Sequence, residues 1–275
     1  SYMGFAVSSM LAFALAGGKN QIAELCKRLT AYGFGDCEIA VGERLSYPEE
    51  RIFQGNVREF CELETDSLAV FLIWNRRAER HEVVCGIPDE QFCRGKVPMT
   101  KEEVRSISIS KLRLWKDAVI YDVGAGTGSV AVEMALQAPD GVVYAVEKNE
   151  EAVALLGKNR VAFAVDHLKI VHGKAPEALE NLPAPTHVFI GGSSGNLKEI
   201  LDIVRKKNKA VRVVINAITL ETVTEALTYL KEQEISGAEV VSVQTARARE
   251  VGRYHMMTGQ NPVYVISFGG ERQER

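Results

Sequence analysis

The sequence predicts an α/β fold, a parallel sheet covered on both faces by helices, with a smaller α/β segment ahead of it. Three observations carry this. From about residue 117 onward, short apolar runs alternate with amphipathic helical patterns, as in parallel strands joined by crossover helices. A turn dense in glycine, "DVGAGTG" at 122–128, joins the first of those runs to the helix behind it. The 275 residues are 46% hydrophobic and 25% charged, enough apolar surface for a sizeable core.

The elements follow in order. "MLAFAL" (10–15) reads as a buried strand and "GGKN" (17–20) as a turn. "NQIAELCKRLTAYG" carries Ile22, Leu25, Cys26 and Leu29 at helical spacing and stops at Gly33. "CEIAVGE" (37–43) is a strand, "RLSYPEER" a polar loop, the stretch near 56–62 a short helix, and "LAVFLIW" (68–74) a strand. The charged run "NRRAERHEVVCG" breaks this pattern and divides the chain into residues 1–85 and 86–275. In the second part, Thr100 followed by Glu103 is a capping box, so a helix starts there. "AVIYDVG", "VVYAVEK", "LKIVHG", "THVFIGG" and "VRVVINA" are strands, and helical patterns separate most of them. "TLETVTEALTYLKEQ" is a further helix, and "AEVVSVQTA" and "PVYVISF" are two closing strands. With no long helix between those two, the last strand is expected to run antiparallel.

Composition excludes several classes. A net charge of −3 gives no bulk attraction to nucleic acid or an anionic membrane. The five cysteines include no C-x-x-C, which argues against a zinc site or a disulfide framework and for a reducing, cytoplasmic setting. No apolar run reaches the roughly 18 residues that span a bilayer. The apolar start lacks a basic segment, so a signal peptide is not expected.

The glycine turn then narrows the ligand. Glycines at a strand-to-helix turn permit positive φ and let a ligand press against backbone amides. A dinucleotide fingerprint needs its third glycine at position 129, which is Ser129, and a P-loop needs Gly-Lys-Ser/Thr, which is absent. What stands is D-x-G-x-G-x-G with Glu147 ending the next strand, where a carboxylate can accept both ribose hydroxyls. This spacing resembles the class I S-adenosylmethionine-dependent methyltransferases, with a Rossmann-like seven-stranded sheet.

A wider resemblance is more specific. "RGKVPMTKEEVRS", "DVGAGTGSVAVE", "VEKNEEA", "HGKAPEAL", "VFIGGSSGNL", "VINAITLET" and "NPVYVISF" occur in that order. Together they resemble the decarboxylating precorrin or cobalt-precorrin carbon-15 methyltransferases of cobalamin biosynthesis, over about residues 86–270. "AVGERLSYPEERI" in the first part resembles the second half of the carbon-5 precorrin methyltransferases, without the glycine-bearing front half. The resemblance implies a polycarboxylated tetrapyrrole substrate, S-adenosylmethionine as methyl donor and a homotetramer. It implies no nucleic-acid or membrane partner and no metal.

Carried onto this sequence, the family motif assigns the cofactor to Thr100, Asp122, Gly124, Ala125, Gly126, Thr127, Gly128, Glu147, Lys174, Ala175, Gly191 and Gly192. Thr100 either caps its helix only or also touches the cofactor. Adenine is expected against Lys174, Ala175 and Pro176, and the methyl donor beside Gly191, Gly192 and Ser193. His172 reads as a strand residue, and Glu133 as a solvated or structurally bonded helix residue. Asn216, at a strand end, is placed to orient a carboxylate or the cofactor. "TARAREVGRYHMMTGQNP" puts Arg247, Arg249, Arg253 and His255 beside Tyr254, Met256 and Met257. It is expected to be a mobile loop that closes over the macrocycle, cations to the carboxylate rim and thioethers to the ring. Arg94 and Lys96 are the fallback carboxylate readers. The competing readings are a same-fold methyltransferase acting on tRNA or a small hydroxylated molecule, and a non-catalytic binding module.

Overall fold

A computed structural model describes residues 10–16, 21–66, 68–76, 78 and 85–270. The turn expected at 17–20 and most of the charged run at 77–84 lie outside the described residues. The chain divides into two compact units. One takes in the chain to residue 82 together with Val161–Asp166; the other holds the remainder from residue 83.

The first unit contains β1 (Leu11–Ala16), α1 (Gln21–Ala31), β2 (Glu38–Glu43), β3 (Arg51–Asn56), a 3-10 turn (Val57–Phe60) and β4 (Ala69–Trp74). The strands pair antiparallel in the order β1-β4-β2-β3. Ile22, Leu25, Cys26 and Leu29 of α1 pack on Ile39, Val41, Phe71 and Ile73, which alternate along their strands as a one-sided sheet requires. Two expectations are corrected here. β1 is not buried: it is the sheet edge, and Leu11, Phe13 and Leu15 on the face away from the core are 52%, 62% and 70% exposed. β3 follows the polar loop directly and was not anticipated, because "RIFQGN" shows no alternation.

The second unit is built on a seven-stranded sheet ordered β10-β13-β9-β8-β5-β6-β7. Its strands are β5 (Val119–Val123), β6 (Val142–Glu147), β7 (Leu168–His172), β8 (His187–Ile190), β9 (Arg212–Ala217), β10 (Glu239–Val243) and β13 (Val263–Phe268). β13 runs antiparallel to both β9 and β10, as expected. The helices are α2 (Glu102–Leu112), α3 (Ser129–Gln137), α4 (Glu150–Ala162), α5 (Leu197–Lys207) and α6 (Leu220–Glu232). The central strands are buried throughout, which is why they read as unbroken apolar runs. β5 lies between β6 and β8, so the chain leaves β5 and β8 in diverging directions and opens a crevice at their carboxyl ends.

Between β10 and β13 the chain forms a hairpin, β11 (Ala246–Val251) paired with β12 (Tyr254–Gly259) through a turn at Gly252 and Arg253. The expected loop is therefore a two-stranded ribbon, with most of its residues exposed on both faces. Among the described residues no helix is long and apolar enough to cross a membrane.

Candidate functional site

A cavity of about 650 Å³ opens at the crevice between β5 and β8. Its floor is the turn Gly124–Thr127, and the sequence explains why that turn is glycine. Gly124 has φ 75°, and a Cβ there would lie 2.7 Å from the Gly192 carbonyl oxygen, so no side chain fits between the β5 and β8 turns. Gly128 serves the fold instead: it caps α3 at φ 80°, and a Cβ there would strike Leu156 at 2.7 Å. Gly128 is thus a packing residue and does not line the cavity. The turn's amides are also less free than expected. Gly124 and Ala125 donate to the Val146 carbonyl at 3.0 and 3.1 Å, and Gly126 donates to Glu147 Oε2 at 2.8 Å.

Glu147 is the organiser of this end of the sheet. Its second oxygen accepts from the Lys148 and Asn149 amides at 2.8 and 2.9 Å, so one carboxylate ties the β6 end to the glycine turn. Asp122 behaves differently. It is fully buried behind the turn, outside the cavity lining, and among the described residues its carboxylate oxygens have no well-formed hydrogen bond, the Ala131 amide being the one donor that acts on them. Burial first, and the Glu147 charge second, push its pKa up to about 8, with the Ala131 amide opposing only in part. Of the two roles open to a carboxylate at this strand end, orienting the loop or meeting the cofactor's ammonium group, its place beneath the turn fits the first.

The remaining candidates sort cleanly. Thr100, Lys174, Ala175, Gly191, Gly192, Ser193, Asn216 and Lys96 all line the cavity; Arg94, Arg247, Arg249, Arg253 and His255 do not. The capping box at Thr100 does not form: Lys101 is the N-cap, without a side-chain cap bond, and Thr100 offers its carbonyl to Arg105 Nη1 at 2.6 Å. Asn216 Oδ1 accepts from Ser108 at 2.9 Å. His172, in β7, lies 3.1 Å from the Lys148 carbonyl.

The hairpin cations are largely engaged. Arg247 makes a bidentate pair with Glu103 at 2.8 and 2.9 Å, which holds the Glu103 carboxyl below its ordinary range. His255 faces Glu250 at 3.6 Å, and Arg253 stacks on Tyr254 at 5.2 Å. Sequence reasoning missed Arg105, a fully buried guanidinium bound to Glu133 at 2.5 Å and Asp89 at 3.3 Å. Glu133 also accepts from the Gly86 and Ile87 amides, both at 2.9 Å, so it is structural and buried, not solvated.

This sheet order, the glycine turn after β5 and the acid ending β6 give the chain the fold of the class I methyltransferases. A model of the precorrin methyltransferase domain matches residues 91–268, and the chain belongs to that family. A probable cobalt-precorrin-6B C(15)-methyltransferase (decarboxylating) of Pyrobaculum calidifontis is 44% identical over 185 residues, 66% of this chain and 94% of the relative. The cobalt-precorrin-6B C(15)-methyltransferase (decarboxylating) of Salmonella typhimurium is 39% identical over 181 residues, 65% of this chain and 93% of the relative. Among solved structures, a precorrin-6y C5,15-methyltransferase from Geobacter metallireducens aligns with a TM-score of 0.64 at 38% identity. That match covers 69% of this chain and 100% of the other. A tRNA (m1A58) methyltransferase from Aquifex aeolicus, at 15% identity and TM-score 0.54, shares the fold alone.

Proposed function

We propose that this chain methylates carbon 15 of a precorrin-6 or cobalt-precorrin-6 macrocycle and releases the ring-C acetate carboxyl as carbon dioxide, in cobalamin biosynthesis. The observation that carries the reading is that the cavity's walls fall within residues 91–268, the span of the family match. The relatives named for this reaction are matched over nearly their whole length.

The residues present fit S-adenosylmethionine, which supplies an electrophilic sulfonium methyl when bound. A Cβ at Gly192 would meet nothing within 4 Å, so this wall leaves room for a ligand. Glu147 stands where a ribose is held in this fold, and Ala175 gives adenine a small neighbour. The work of the protein is alignment and the exclusion of water, and positioning alone is worth effective molarities on the order of 10⁵ M. No general base is needed if the attacking carbon belongs to an electron-rich pyrrole system. Carboxylate recognition falls to Lys96, which lines the cavity next to the entry to α2 and forms no ion pair among the described residues. It carries a flexible point charge suited to acid arms of differing reach.

For the first unit, the resemblance to the second half of a carbon-5 methyltransferase supports a packing or docking role. Residues 1–85 carry no second D-x-G-x-G-x-G turn, which supports a single S-adenosylmethionine site per chain. Calorimetric titration tests the main reading. S-adenosylmethionine should bind, followed by the tetrapyrrole in the same cavity; absence of tetrapyrrole binding would favour tRNA or a small molecule as methyl acceptor.

A further inference from the structure

Arg247 lies on the hairpin stem yet is bound to another element. Its Nε and Nη2 meet both oxygens of Glu103, and Nη2 also lies 3.2 Å from Glu102 Oε1 and 3.7 Å from Asp89 Oδ2. Three carboxylates surrounding one guanidinium fix it far more tightly than a single surface pair. Glu102 and Glu103 form the first turn of α2, and the residues just before that turn, Val97 to Lys101, wall the cavity. The hairpin's outgoing stem re-enters the same wall through Gln260 and Asn261, with the Gln260 amide closing the stem on the Thr245 carbonyl at 2.9 Å. Arg247 thus joins the entry to α2 to the base of the ribbon.

The sheet order says which ligand these walls serve. Glu147 and Lys174 follow β6 and β7, on one side of β5, whereas Gln260 and Asn261 precede β13, beyond β9 on the other side. A cofactor held by its ribose at β6 leaves the β9–β13 side for the methyl acceptor. We infer that Arg247 is a positioning residue for the tetrapyrrole: it clamps the ribbon to α2 and so sets the width of the acceptor half of the cavity. This rests on the function proposed above. The ribbon it holds there exposes Tyr254, Met256 and Met257, apolar groups suited to the face of a broad ring.

Arg247→Met, Glu103→Gln and the double variant test it, each checked for native melting by circular dichroism. Each single variant should raise KM for cobalt-precorrin-6B about fivefold, leave KM for S-adenosylmethionine unchanged, and change kcat little. The double variant should be no worse than the more damaged single one, because both remove one contact. Arg247→Lys, which keeps the charge, should recover part of the loss. Tryptic cleavage after Arg249 and Arg253 should quicken about fivefold in Arg247→Met, a readout independent of turnover. Additive losses, an equal rise in KM for S-adenosylmethionine, or cleavage at the wild-type rate would overturn the clamp. A wild-type protein that turns over no tetrapyrrole, with accelerated cleavage in Arg247→Met, would overturn the functional reading and leave the clamp standing.

Discussion

Asp122→Asn should stabilise the protein at alkaline pH and lose that advantage as the pH falls. The folded carboxyl holds its proton up to about pH 8, against 3.8 for the ordinary side chain. The folded state therefore binds one proton more than the unfolded state across that window, and stability falls as pH rises through it. The slope is about 1.4 kcal/mol per pH unit, which accumulates to about 5 kcal/mol at pH 8. Asparagine has nearly the same shape and carries no charge, but its amide inherits a site poor in hydrogen-bond partners, at a cost of about 1–3 kcal/mol. The net gain at pH 8 is then about 2–4 kcal/mol, shrinking toward zero or reversing near pH 5. For a unit of this size each kcal/mol moves Tm by about 2–4 °C, so thermal melts followed by circular dichroism from pH 5 to 8.5 resolve it. A difference between variant and wild type that does not change with pH would refute the burial argument, as would destabilisation at every pH.

Three further outcomes follow from the same geometry. Glu147→Gln should weaken S-adenosylmethionine binding by about 1.5 kcal/mol, roughly tenfold in Kd by calorimetry, because a charged ribose acceptor is lost; an unchanged Kd would remove Glu147 from the cofactor site. Lys96→Gln should raise KM for the tetrapyrrole about fivefold, an effect that fades as salt screens the exposed charge; a KM that stays at the wild-type value at low salt would shift carboxylate reading to Arg249 and Arg253. Calorimetry should find one S-adenosylmethionine per chain, and a stoichiometry of two would mean that the first unit has a cofactor site of its own.

Much of the second unit was legible because its strands are buried on both faces. β5, β8 and β9 read as apolar runs with turn residues at each end, and Gly124 and Glu147 mark the crevice in the sequence itself. Edges were not legible. β1 is apolar but lies at the rim of a sheet covered on one face, so hydrophobicity there did not mean burial. β11 and β12 expose both faces, so no period of two survives in their residues, and the ribbon looked like a loop. Charges misled for a related reason. Arg247 resembled a free substrate contact, and Arg105 drew no reading at all, because the acids that hold them are distant in sequence. Glu103 lies 144 positions from Arg247, and Glu133 lies 28 from Arg105. Burial of a guanidinium requires such partners, and only the fold brings them together.

Turnover stoichiometry tests the central claim most directly. The purified protein would be incubated with cobalt-precorrin-6B and S-adenosylmethionine labelled in its methyl group. Labelled tetrapyrrole, S-adenosylhomocysteine and released carbon dioxide would then be measured together. The account predicts that all three appear in equal amounts, with the label on carbon 15 and one carboxyl lost from the ring-C acetate. Methylation without carbon dioxide, label on carbon 5, or no labelled tetrapyrrole at all would contradict it.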